Sequence, residues 1–189
     1  MSAKATARRA TLLTANDVAR LCHVDLKTIH NWAGKQKIVH HRTPGRHLRF
    51  RRLDVVDFLR AYDYPVPASL VAPRPRVCVV DSDAHALAAA RRVLARKFEL
   101  VSFADPMEAL VWLAPLEADV VVLDDWPWLH AAACIQRLRG IELTRHLRFV
   151  VYSARAERRD TAMRAGASAF VSKDEPPRLR DALERICGL

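Results

Sequence analysis

From Val77 onward the chain repeats short, wholly apolar runs such as Val77-Cys78-Val79-Val80 and Val120-Val121-Val122-Leu123, each followed by a stretch with helical periodicity. A strand with no polar side has to be covered on both faces. Strand-helix alternation of this kind implies a parallel sheet with right-handed crossovers and helices on either side. The pattern predicts strands over 77–80, 99–103, 120–123, 149–152 and 169–171, and helices over 84–96, 106–113, 131–139, 161–165 and 178–187. The expected fold of this half is α/β, a doubly wound five-stranded parallel sheet. In such sheets chemistry gathers beyond the carboxyl ends of the strands. The residues there are Asp81 and Asp83, Asp124 and Asp125, Ser153, and Lys173.

The first 76 residues read differently. They hold 15 Lys+Arg against 5 Asp+Glu, whereas residues 77–189 hold 16 of each, so the whole net charge of +10 lies in the N-terminal part. A general arginine bias would colour both halves, so the asymmetry points to a nucleic-acid-binding domain beside a neutral one. Pro65, Pro67, Pro73 and Pro75 mark an extended, semi-rigid linker over 63–76. The domains expected are therefore a flexible basic arm at 1–11 carrying Lys4, Arg8 and Arg9, a DNA-binding domain at 12–62, that linker, and the α/β domain at 77–189. Cys22, Cys78, Cys134 and Cys187 form no C-x-x-C pair and read as buried free thiols. The start lacks a secretory h-region and no run approaches a membrane span, so a cytoplasmic protein with no membrane partner is expected.

Within the basic part, Thr14-Ala15-Asn16-Asp17 has the form of a capping box, starting a helix with Val18, Leu21 and Cys22 on one face. After the break at His23-Val24-Asp25, Asp25 can cap a second helix with Ile29 and Trp32 inward. Lys27, Thr28, His30, Asn31 and Lys35 are left on its outer face, side chains suited to bases and phosphates. Thr43-Pro44-Gly45-Arg46 then reads as the turn of a hairpin with arms 37–41 and 47–51. Strand alternation would bury Leu48 and Phe50 and turn His47, Arg49 and Arg51 to solvent. Val55, Val56, Phe58 and Leu59 have the spacing of a closing helix.

The run from Leu12 to Ile38, followed by RTPGRHLRFRRLDVVDFL, resembles the MerR-like and excisionase-like winged helix-turn-helix family. The resemblance implies that the second helix reads the major groove of double-stranded DNA through Lys27, Thr28, His30 and Asn31. The wing would grip the flanking backbone through Arg42, Arg46, His47 and Arg49, with Arg51 an addition. The usual wing tip has two glycines; here Gly45 is followed by Arg46.

The order VVD, VVVLD, VVYSA and FVSK resembles the receiver domain of two-component response regulators, a flavodoxin-like fold. By position the resemblance makes Asp124 the phospho-acceptor, Ser153 the switch hydroxyl, Lys173 the phosphate-sensing lysine and Phe170 the aromatic that changes rotamer. Asp81 matches the first acid, and with Asp124 it would hold Mg2+ if the domain were phosphorylated by a histidine kinase. Three positions depart from the family. Ser82 stands where a second acid is usual, with Asp83 one place late; Pro127 comes three residues after Asp124 instead of four; and Asp174 follows Lys173 where proline is usual. These departures imply a phosphorylation-independent pseudo-receiver, the alternative being phosphorylation at Asp124 with Asp125 as fallback acceptor. Trp126 and Trp128 would plug the altered pocket or anchor a partner. His40, His41 and His47 lack metal-ligand spacing. Arg91, Arg92, Arg158 and Arg159 read as solvated faces or, with no distinctive spacing, as contacts to a cyclic dinucleotide.

The expectation is a sequence-specific transcription regulator, not an enzyme and without a resident cofactor or metal. Its receiver-like domain would form a homodimer or bind a partner protein. The alternative is an adaptor anchored non-specifically on DNA.

Overall fold

A computed structural model of the chain describes residues 12–70, 74–116, 118–141 and 144–189. The expected basic arm at 1–11 and the middle of the expected linker lie outside the described residues. The chain forms two compact units, one up to residue 72 and the other from 73 to 187.

In the first unit β1 (Leu13–Thr14) leads into α1 (Ala15–Cys22), then α2 (Leu26–Gly34), the hairpin β2 (His41–Arg42) and β3 (Leu48–Phe50), and α3 (Arg52–Ala61). The capping box is formed. The Thr14 hydroxyl accepts from the Asp17 N–H at 3.2 Å, and the Asp17 carboxylate accepts from the Thr14 N–H at 2.8 Å. Hydrogen bonds from the Thr14 hydroxyl and N–H hold the Asp17 carboxyl below its ordinary range. α1 ends where His23 takes a left-handed conformation, φ 52°, so the two helices are joined by a tight corner. β1 is an addition to the predicted hairpin. It pairs antiparallel with β3, Leu13 opposite Phe50, giving a three-stranded sheet of order β1-β3-β2.

Val18, Cys22, Ile29, Leu48, Phe50, Val55, Val56, Phe58 and Leu59 close this unit's core. Trp32 lies at its margin against Phe58, ring centroids 5.1 Å apart. The packed unit also runs further than the expected boundary at 62. Tyr64 and Val66 lie on the core, Leu70 is buried, and the Arg52 guanidinium donates to the Leu70 carbonyl at 3.0 Å. Prolines fix the chain in an extended form but leave the apolar residues between them free to pack. At the other end, the Arg74 guanidinium donates to the carbonyls of Ala95 and Phe98, at 2.6 and 2.8 Å, which ties it into the second unit.

The second unit alternates strands and helices as the apolar runs predict: β4 (Arg76–Val80), α4 (Ala84–Leu94), β5 (Glu99–Phe103), α5 (Pro106–Leu116), β6 (Val120–Leu123), α6 (Ala131–Arg139), β7 (Arg148–Ser153), α7 (Arg159–Arg164), β8 (Ala169–Ser172) and α8 (Pro176–Cys187). All strands are parallel, in the order β5-β4-β6-β7-β8. Val121 and Leu123 enter the core beneath α5, α6 and α7, whereas Val120 and Val122 enter the core beneath α4 and α8. This is why the run carries no polar residue. Each such side chain contributes roughly 1.5–3 kcal/mol of burial. All four cysteines are buried thiols outside any disulfide. Burial pushes the Cys78 thiol up to about 12. Among the described residues no helix is long and apolar enough to cross a membrane.

Candidate functional site

On the first unit, α2 is fixed by its cap and its buried face. The Asp25 carboxylate accepts from the Thr28 N–H at 2.6 Å, and Ile29 and Ala33 are buried. Lys27, His30, Asn31 and Lys35 are consequently exposed, with Thr28 half-buried among them. The wing turn is held by three backbone-linked hydrogen bonds: Arg46 N–H to the Thr43 carbonyl, Thr43 N–H to the His47 carbonyl, and His47 N–H to the Thr43 hydroxyl. Arg46, not Gly45, takes the left-handed conformation, φ 59°. The Arg42 guanidinium folds over the turn to donate to the Arg46 carbonyl at 3.2 Å. Arg42, Arg46 and His47 are exposed.

Arg49 and Arg51 depart from the expected outward set. Both are half-buried. The Arg49 guanidinium donates to the Leu48 carbonyl at 2.9 Å, and Arg51 Nε–H donates to His41 Nε2 at 3.1 Å. Strand alternation ignores that a two-residue β2 leaves room for a long side chain to fold back on the sheet. Sequence reasoning also passed over Asn16, Arg20 and His23, which line an open hollow beside α1 with Ala19, Val24 and Leu26. Their signal was available: Asn16 and Arg20 are four residues apart, opposite the buried Val18 and Cys22.

At the carboxyl edge of the large sheet, the register of β4, β6, β7 and β8 brings Asp81, Asp124, Ser153 and Lys173 to one place. Lys173 Nζ lies 2.7 Å from Asp81 Oδ2 and 3.0 Å from Asp124 Oδ2, so one ammonium bridges both carboxylates. Burial alone would lower the Lys173 pKa, but hydrogen bonds to Asp81 and Asp124 outweigh it and hold the group above its ordinary value. Burial pushes Asp81 up; bonds from Lys173 and the Asp83 N–H oppose that, while the Asp124 charge adds to it. Trp126 is buried, and its Nε1–H donates to the Ser82 hydroxyl at 3.2 Å. Trp128, 6.2 Å away between ring centroids, is exposed. Of the two tryptophans, Trp126 is packed inside and Trp128 stands in solvent.

The other four expected pocket residues, Ser153 at the same sheet edge among them, make contacts of their own. Asp83 caps α4 by accepting from the His85 N–H at 2.8 Å. The buried Ser153 hydroxyl accepts from the Arg155 N–H at 3.2 Å, and Phe170 is half-buried against the core under α6 and α7. Asp125 is buried and turned away from Lys173. Its Oδ1 accepts from the Ala131 N–H at 2.9 Å, at the start of α6, where a negative charge is favoured. Its Oδ2 is faced by His130 Nδ1 at 3.6 Å and by the guanidinium groups of Arg155 and Arg158, each at 3.7 Å. Arg158 is thereby partly withdrawn from the solvated face expected of it.

Mg2+ prefers several oxygen ligands in an octahedral arrangement. Here both carboxylates already meet the Lys173 ammonium, and the Ser82 hydroxyl is taken by the Trp126 indole. Among the described residues no three His, Cys, Asp or Glu side chains converge as metal ligands. Asp81 and Asp124 are the carboxylates that would meet a divalent cation at this edge, and the Lys173 ammonium lies between them.

Residues 12–63 match the family model described as a helix-turn-helix domain. No curated protein matches the chain. Solved structures similar to it include a response regulator from Thermotoga maritima, at 23% identity and TM-score 0.55, covering 61% of this chain and 99% of that one. A signal receiver domain from Bermanella marisrubri aligns at 25% identity and TM-score 0.55, covering 60% and 98%. HP1043, an orphan response regulator of H. pylori, aligns at 16% identity and TM-score 0.52, covering 61% and 99%. The chain thus joins a helix-turn-helix domain at its N-terminal end to a unit with the receiver-like fold of response regulators.

Proposed function

We propose that this protein is a sequence-specific, duplex-DNA-binding transcription regulator whose receiver-like unit works without phosphorylation and joins two chains or a protein partner. The observation that carries the DNA reading is the exposed row Lys27, His30, Asn31 and Lys35 on a capped helix of a basic unit, beside a wing bearing Arg42, Arg46 and His47. Lys and Arg supply phosphate attraction, and Asn31 offers the donor and acceptor pair that reads adenine in the major groove. Such a wing and helix accord with the MerR-like arrangement.

In the receiver-like unit, Lys173 stands between the two acids and Trp126 closes over Ser82, which supports a role independent of Mg2+ and of a histidine kinase.

The test is selection from a randomised duplex pool by the full chain, wild type and Asp124→Ala, with and without acetyl phosphate and Mg2+. An enriched motif, identical for both proteins under both conditions, is the expected result. No enrichment, with only a steep salt slope, would replace this reading by the DNA-anchored adaptor. A phosphodonor effect present in wild type and absent from Asp124→Ala would restore a phosphorylated switch.

A further inference from the structure

Residues 125–168 hold eight arginines against four acidic residues, although the unit from 77 to 189 is neutral. Part of that excess gathers at Asp125. His130 Nδ1, Arg155 Nη1 and Arg158 Nε stand 3.6, 3.7 and 3.7 Å from the buried Asp125 Oδ2, beyond the reach of a hydrogen bond. Asp125 Oδ2, His130 Nδ1 and Arg158 Nε are all buried without a hydrogen-bond partner. Buried polar atoms left unmet are rare enough to need a cause. Neutralising one carboxylate takes one guanidinium drawn into contact; here two guanidinium groups and an imidazole are held just short of it.

Arginine is always charged, so one positive charge is left over once Asp125 is met, and two when His130 is protonated. The side chains of His130, Arg155 and Arg158 are 42, 37 and 40% exposed, so the groups that face Asp125 from one side also reach solvent. Among the described residues neither guanidinium donates a side-chain hydrogen bond, which leaves the donors of both forks unspent. α6 begins at this point with no side-chain cap from His130 and adds its positive end.

We infer that His130, Arg155 and Arg158 form a binding site for the phosphate group of a small ligand. Phosphate brings up to two negative charges and several acceptor oxygens, which match two guanidinium forks and the surplus charge. The site is separate from Asp124, where Lys173 already meets the carboxylates. Trp128, 65% exposed, stands two residues before His130 and so within about 7 Å of it along the chain. An exposed indole there suits a planar base, so the phosphate arrives either alone or as part of a nucleotide. Either gives the receiver-like unit an input other than phosphoryl transfer, and neither depends on how the first unit reads DNA.

The experiment is calorimetric titration of the full chain, without DNA, with inorganic phosphate and with adenosine monophosphate up to about 10 mM, and with acetate at the same ionic strength. The proteins are wild type, Arg155→Lys with Arg158→Lys, Trp128→Ala, and the control Arg91→Ala, an exposed arginine on α4. The double lysine variant keeps both charges beside Asp125 and removes the forks. Urea midpoints check its fold, and Arg155→Lys alone carries the comparison if the double variant is unfolded. Saturable phosphate binding is expected in wild type and Arg91→Ala, weakened about tenfold or more by the lysine changes. A wild type that binds neither phosphate nor the nucleotide, acetate binding as strong as phosphate, or equal binding with and without the lysine changes overturns the inference. The remaining arms identify the source. Adenosine monophosphate bound about tenfold more tightly than phosphate, with the gain lost in Trp128→Ala, assigns a nucleotide. Equal binding of the two, unchanged in Trp128→Ala, assigns phosphate itself.

Discussion

Lys27, Lys35, Arg46 and His47 of the first unit stand separately in solvent, whereas in the second unit Asp81, Asp124 and Lys173 interlock, as do Asp125, Arg155 and Arg158. The first arrangement keeps charge available to an outside partner and makes each side chain act nearly alone. The second spends its charge internally, so that removing one member strands the others. Independent groups give additive losses; a shared ammonium does not.

The sharpest way to break this contrast is Lys173→Met. It leaves two carboxylates facing each other in a largely buried pocket and is expected to destabilise the second unit by about 3–5 kcal/mol, read from urea unfolding. Asp81→Asn in the same background should return much of the loss. If the two changes simply add, the pocket is not interlocked. pH gives a second reading of the same group. The folded pKa of Lys173 lies above its unfolded value, so its stabilisation is complete below about pH 10 and is lost as pH rises through the folded value. The alkaline fall in stability should therefore be shallower in Lys173→Met than in wild type.

Asp125→Asn keeps an oxygen for the Ala131 N–H but removes the charge faced by Arg155 and Arg158. A loss of about 1–3 kcal/mol is expected, with faster amide exchange over 155–158. An unchanged protein would class Asp125 with the surface charges of the first unit.

On that first unit, Lys27→Ala and Lys35→Ala should each reduce the slope of log affinity against log salt by about 0.9, additively in the double variant, while stability changes by less than about 0.5 kcal/mol. Arg46→Gly sharpens the contrast from the other side. It relieves a left-handed residue worth about 1 kcal/mol, so thermal unfolding should move up while DNA affinity falls.

Much of this arrangement could be read along the chain, for local reasons. The apolar runs report their own double coverage, and the Thr14–Asp17 and Asp25–Thr28 caps are complete within four residues. What could not be read depends on distant packing. Leu70 belongs to the first unit because Arg52, eighteen residues earlier, holds its carbonyl. Asp124 and its fallback Asp125 are adjacent in sequence, but successive side chains leave a strand end in opposite directions. One therefore meets Lys173 and the other the start of α6. β1 is too short, at two residues, to carry a periodicity.

The four buried thiols have a consequence for how the molecule opens. Cys22 lies in the first unit; Cys78 on β4, Cys134 on α6 and Cys187 on α8 sample the second. A thiol that is unreactive while packed becomes an ordinary nucleophile once its segment opens. Under native conditions the labelling rate of Cys22 thus times the breathing of the DNA-reading half, and the other three time the sheet and its two helical layers, without any engineered probe.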